Sequence, residues 1–208
     1  MAFAQFTLEK VKKELGIQVV EGHQLFPNVP AVTPSEHLRI SLERFSQLAM
    51  AINTEKSRSE WIIAPILGEV REQANHQIGL FSGTSFTADS TLGLEGTCDF
   101  LFSLSPQQYF LSAPVVAVVE AKKEDSTPGL GQCLAIMYGA ALFNKQEKND
   151  ISYIYGCVSN GAVWKFLKLD GKNGYIDSDT YYLNQLEIIL GILVSMTQPQ
   201  TQPTHITY

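Results

Sequence analysis

The chain has 208 residues, a net charge of −6 and a pI near 5.2, with 45% hydrophobic and 17% charged residues. Such a composition excludes a disordered chain, and the length holds one sizeable core or two small ones. The acidic balance excludes a surface that coats nucleic acid broadly, so contact with a polyanion needs a local basic patch or bound metal ions. Cys98, Cys133 and Cys157 are far apart and form no Cys-x-x-Cys. They indicate neither a disulfide framework nor a zinc knuckle, and they fit a reducing compartment. The first sixteen residues have no apolar signal core, and the apolar run from Ile188 to Met196 is nine residues long, too short to span a bilayer. A soluble, cytoplasmic protein without a membrane partner is expected.

In chain order, Phe6 to Leu15 reads as a short helix stopped by Gly16. Glu21 to Thr33 carries Pro27 and Pro30 and reads as irregular. Ser35 to Ala51 has Leu38, Leu42, Phe45 and Leu48 at helical spacing, with Ser35 as N-cap. Glu55 to Ala74 predicts a second helix, which Pro65 should kink or start late. The period then changes: His76–Phe86, Leu94–Leu104 and Ala113–Ala121 predict three strands, and Gly129–Phe143 a long apolar helix. Ile151–Ser159 and Gly161–Leu169 predict a hairpin around Asn160-Gly161, Tyr175-Ile176 a short strand, and Tyr181–Met196 a closing helix. The tail from Thr197 to Tyr208, rich in Gln, Thr and Pro, reads as disordered. No repeat or internal linker interrupts residues 6 to 196. The expectation is one α/β domain over residues 55–196, an N-terminal helical extension over 1–54 packed on it, and a tail over 197–208.

One stretch stands out for chemistry. Val115 to Lys122 is an unbroken apolar run that stops at Glu120, Ala121 and Lys122. The run reads as a central strand buried on both faces. Residues two apart on a strand share a face, so Glu120 and Lys122 point the same way, about 7 Å apart. Ionisable groups at the end of a core strand are costly unless hydrated, paired or bound to a metal. Asp99 lies 21 residues earlier, on the preceding strand, among Cys98, Phe100, Leu101 and Phe102. Two acids on neighbouring strands suit a hard divalent cation such as Mg²⁺, which takes oxygen ligands and keeps several waters. A lysine beside them can orient the attacking water and stabilise charge on a phosphate. Those parts suit phosphodiester hydrolysis.

Asp99, then Glu120-Ala121-Lys122, with helices before and a helix carrying Gln132 after, resembles the PD-(D/E)XK nuclease superfamily. Within it the chain is most similar to small cyanobacterial-type proteins of unassigned role and, more distantly, to the N-terminal nuclease domain of type I restriction enzyme motor subunits. The resemblance covers about residues 55 to 170. It implies a restriction-endonuclease-like three-layer core (αβββαβ, a mixed sheet flanked by helices) and a Mg²⁺-dependent nuclease acting on DNA, with Mn²⁺ as the alternative metal. The metal would be held by Asp99, Glu120 and the main-chain carbonyl of Ala121, and Lys122 would assist the attacking water. Cys98 stands where the family has its nominal proline. The family also implies an acid on the first core helix. Glu60 and Glu69 are nine residues apart, on opposite faces of a continuous helix, and Glu60 is chosen because it is nearer the helix start. Gln132 carries over as a site-facing residue. Tyr138 lies six residues on rather than the expected four, and its role stays open.

Other motifs carry less. Gly129-Leu-Gly-Gln-Cys-Leu opens a helix after a strand, but Leu134 occupies the third glycine position and a polar stretch separates strand from glycines, so a dinucleotide fingerprint is rejected. Trp164 and Phe166, flanking Lys165, read as core packing, and the four histidines lack metal-ligand spacing. A non-catalytic nucleic-acid-binding or regulatory module that keeps the fold is the alternative to the enzyme, and self-association into a homo-oligomer is left open.

Overall fold

The computed structural model describes residues 2–123, 127–149 and 151–199; of the tail expected to be disordered from Thr197, the part from 200 onward lies outside them, whereas Thr197 itself is buried and ordered, its hydroxyl donating to Val194 O at 2.9 Å. The N-terminal helix is α1 (Leu8–Leu15), where Thr7 accepts the first-turn N–H of Lys10 and Gly16 ends it in the left-handed conformation. Next come β1 (Gln18–His23) and α2 (Glu36–Ile52), whose N-cap is Ser35. The following helix is continuous but not uniform. Its first turn, α3 (Glu55–Arg58), is fixed by a capping box between Thr54 and Ser57. A π-helical segment, Ser59–Ile63, follows, then α4 (Ala64–Gln73) with Pro65 in its first turn. Pro65 has no N–H to give and its ring crowds the carbonyl one turn back, so the chain widens there, with the Ala64 N–H bonded to Ser59 O. The predicted kink is therefore a π turn just before the proline.

Strands β2 (Gly79–Asp89), β3 (Leu94–Ser103) and β4 (Val115–Ala121) come next, then helix α5 (Thr127–Gln146). The chain continues through β5 (Tyr153–Ser159), β6 (Val163–Asp170), β7 (Asn173–Asp177), the two-residue β8 (Tyr181–Tyr182) and α6 (Leu186–Met196). The eight strands among the described residues form one mixed sheet, ordered β1-β7-β6-β5-β4-β3-β2 with β8 beside β6. β4 and β5 are parallel, joined through α5; β1 and β7 are also parallel, and the other pairs are antiparallel.

Two departures from the sequence reading have clear causes. β1 begins inside a stretch too polar to show period-2 alternation, and its mostly exposed residues gain their place by pairing with β7 at the sheet edge. The predicted closing helix starts late, because Tyr181 and Tyr182 first pair with Trp164 and Val163 of β6.

Helices cover both faces of the sheet. One core gathers Leu38, Leu42, Ile62, Ile66, Leu67, Ile189 and Leu193 from α2, the π segment, α4 and α6 against Phe100, Phe102, Ala117 and Val119. The other gathers Val11 and Leu15 of α1 and Cys133, Leu134 and Met137 of α5 against Leu101, Val118 and Val158. β4 is central and all seven of its residues are buried. Its start is clamped by Asn144 of α5, whose side chain accepts from Val115 N and donates to Val115 O, both at 2.7 Å. The three cysteines are free and buried. Among the described residues no helix is long and apolar enough to cross a membrane.

Candidate active site

Strand register brings the singled-out residues into one row. In the β2–β3 ladder Ser82 faces Phe100 and Thr84 faces Cys98, which puts Gly83 opposite Asp99. Phe100 faces Val119 in the β3–β4 ladder, so Asp99 and Glu120 are each one step beyond that pair. Glu120 in turn faces Val158 on β5. Gly83, Asp99, Glu120 and Val158 thus run across four adjacent strands.

The row is also where the β2–β3 hairpin changes face. Phe100 and Phe102 belong to the core under α2, α4 and α6, whereas Cys98 and Leu94 belong to the core under α5. An uninterrupted strand would put residues 98, 100 and 102 on one side, so the alternation slips at Asp99. β2 slips in the same interval, between Phe81 and Phe86, and contains Gly83 at φ +62°. A left-handed glycine within a strand is the residue that such a kink requires.

At this row Asp99 Oδ2 accepts the main-chain N–H of Ala121 at 2.8 Å, tying β3 to the end of β4. The Lys122 amide donates to Ser159 O at 2.8 Å, which ties the next residue to β5. The Lys122 side chain turns back to the sheet. Its Nζ donates to Glu120 Oε1 at 2.6 Å and to Gln132 Oε1 on α5 at 3.2 Å. Glu120 is 2% exposed, and its Oε2 is buried with no protein hydrogen-bond partner.

The electrostatics follow from that placement. Burial, then the neighbouring Asp99, pushes the Glu120 carboxyl up to about 8, with the Lys122 charge opposing. Burial draws the Lys122 amine down, but the charge and hydrogen bond of Glu120 together with the charges of Glu55 and Asp99 outweigh it, and the amine ends above the ordinary lysine value. The Cys98 thiol is pushed up to about 12 by burial, with Glu120 and Asp99 adding to it.

Asp99 and Ala121 open onto a cavity of about 280 Å³, walled on one side by Ser82 and Gly83 and on the other by Glu55, Lys56, Ser59 and Glu60. Glu60 lines the cavity and is half-exposed beside Lys56 at 3.1 Å. Glu69 points elsewhere. It accepts from Ser35 N, Ser35 Oγ and Gln73 Nε2 and holds the start of α2. Burial alone would raise its pKa; those hydrogen bonds outweigh it and hold the carboxyl low. Gln132 reaches the site through Lys122. Tyr138 does not, since its hydroxyl takes a hydrogen bond from Lys172 at 2.6 Å.

Glu55 and Gly83 escape the sequence reading. Glu55 lines the cavity and its charge raises the Lys122 amine. A glycine inside a predicted strand is a recognised signal of a kink or close approach, and it could have marked Gly83. Nothing local marks Glu55, which looks like an ordinary first-turn acid.

Among the described residues, no group of three or more His, Cys, Asp or Glu side chains is gathered as a metal cage. Mg²⁺ does not require one: it binds through one or two carboxylates and keeps its waters. The unpartnered Glu120 Oε2 and the adjacent Asp99 fit that smaller demand. No family model matches the chain, and no curated protein matches it.

Proposed function

We propose that the chain is a Mg²⁺-dependent nuclease that hydrolyses DNA phosphodiester bonds, a member of the PD-(D/E)XK superfamily with a restriction-endonuclease-like core. The element order supports the fold: helix, β2, β3, β4, α5, β5 follows the αβββαβ pattern. The observation that carries the activity is the convergence of Asp99, Glu120, Lys122 and Gln132 at one end of β4, with a buried carboxylate oxygen left unpartnered.

In this reading Asp99, Glu120 and the Ala121 carbonyl hold the cation, with Mn²⁺ able to substitute. Bound there, Mg²⁺ supplies a lowered water pKa and neutralises phosphate charge. Glu120 and Gln132 fix the Lys122 ammonium, so that it donates to the attacking water or to a phosphate oxygen without having to be ordered at that moment. Glu60 and Glu55 are the further acids on the cavity wall.

One observation favours a non-catalytic binding module instead. The Lys122 amine is already committed to Glu120 at 2.6 Å, and the cavity wall is more acidic than basic. Incubation of the purified protein with Mg²⁺ or Mn²⁺ and with supercoiled, linear or single-stranded DNA separates the two. The nuclease cuts at least one substrate, and Asp99→Ala and Lys122→Ala abolish cutting while leaving the fold intact. Untouched DNA on every substrate, with no metal binding by calorimetry, leaves the binding module.

A further inference from the structure

The Gly129-Leu130-Gly131 segment lies at the start of α5 and has no part in the site as described so far. Its two glycines meet different neighbours. A Cβ on Gly131 would stand 2.3 Å from the Thr7 carbonyl carbon and 2.6 Å from Leu8 N, so Gly131 admits the backbone that opens α1. A Cβ on Gly129 would stand 2.7 Å from Val158 Cγ1, 3.0 Å from Lys122 Cε and 3.2 Å from Lys122 Cγ. Ordinary carbon contacts lie near 3.5–4.0 Å. The first turn of α5 therefore rests directly on the Lys122 stem.

From this contact we infer that Gly129 is a positioning residue for Lys122, holding the amine against Glu120 and Gln132. Val158 is fully buried, β-branched and paired with Glu120 across β4 and β5, so it cannot yield. Any side chain at residue 129 must lift the first turn of α5 or displace the lysine stem. Gln132 is one helical turn further along the same face, so lifting the turn withdraws it from Nζ as well. Both routes break the arrangement that orders the amine. The consequence for catalysis rests on the nuclease reading; the placement of Lys122 does not.

The test compares Gly129→Ala, Val158→Ala and the double variant Gly129→Ala/Val158→Ala, because removing Cγ1 relieves the closest overlap and leaves both lysine contacts. The readouts are Tm, the proton–proton contacts between the Lys122 ε-methylene and the Gln132 side-chain amide in NMR spectra, and the rate of DNA cleavage with Mg²⁺. The double variant should melt with Val158→Ala alone, yet lose the Lys122–Gln132 contacts seen in Val158→Ala. Cleavage should fall about ten- to a hundredfold. A double variant that keeps the wild-type Lys122–Gln132 contacts overturns the inference, because the glycine then serves core packing alone. If wild-type protein cuts no DNA, the nuclease reading falls, while those contacts still decide the positioning role. If the variants fail to fold, a contact between Lys122 Hε and Gly129 Hα in wild-type spectra takes their place; it is expected, and its absence overturns the inference.

Discussion

Glu120→Gln tests the electrostatics of the site without any substrate. Glu120 is 2% exposed and its folded-state pKa is raised from 4.5 to about 8, by burial first and by Asp99 second. A raised carboxyl favours folding in its protonated form, so its contribution to stability is complete below about 4.5 and is lost as pH rises through about 8. One proton of linkage amounts to about 1.4 kcal/mol per pH unit, which caps the loss between pH 5.5 and 7.5 at about 3 kcal/mol. Without the Lys122 amine at 2.6 Å, which favours the ionised form, the carboxyl would rise further still; with it, the expected loss is about 2–3 kcal/mol. Glutamine keeps the shape and an oxygen for Lys122 but does not titrate. Urea unfolding of wild-type and Glu120→Gln protein in metal-free buffer should thus show the wild-type advantage shrinking by that amount from pH 5.5 to 7.5, at equal m-values. Asp177, whose carboxyl burial also raises, cancels in the difference. A difference that stays flat, or that grows with pH, refutes the buried, proton-retaining Glu120.

Four further outcomes follow from the same geometry. Mg²⁺ at a hundred times its Kd should stabilise the wild-type protein by about 2.7 kcal/mol, and Asp99→Ala should remove the shift in a thermal melt. Glu69→Gln weakens the three hydrogen bonds that Glu69 accepts and should lower stability by about 1–3 kcal/mol in urea unfolding, with cleavage unchanged. Glu60→Ala should do the reverse, losing cleavage while the exposed pair with Lys56 contributes under about 0.5 kcal/mol. Asn144→Ala leaves the Val115 N–H and C=O buried without partners and should cost about 2–4 kcal/mol by urea unfolding, far from the cavity.

Much of this arrangement is legible in the residues themselves. β4 declares itself because a strand covered on both faces must be continuously apolar, and Val115 to Val119 is. Asp99 and Glu120 can be singled out because acids in such surroundings are costly. Sequence cannot supply the register that makes Asp99 and Glu120 neighbours, since strand pairing depends on contacts remote along the chain. That only one of Glu60 and Glu69 can face the site rests on ideal helical rotation, which the π turn at Ser59–Ile63 interrupts. What separates the two acids is their neighbours: Ser35 takes Glu69, and the cavity takes Glu60. β1 is invisible for a different reason. An edge strand with an exposed, polar face has no hydrophobic period to read.

The shared slip at Gly83 and Asp99 divides the β2–β3 hairpin into two arms. The inner arm lies within the sheet; the outer arm carries Phe86 against Phe3 and Phe143, over α5. Asp99 sits on the crease between them. When two arms flex about a crease, displacement grows with distance from it, so a group on the crease moves least. The carboxylate that meets the end of β4 thus sits where the outer arm is anchored to the sheet, and its bond from the Ala121 N–H is the contact that any rocking of that arm would disturb least.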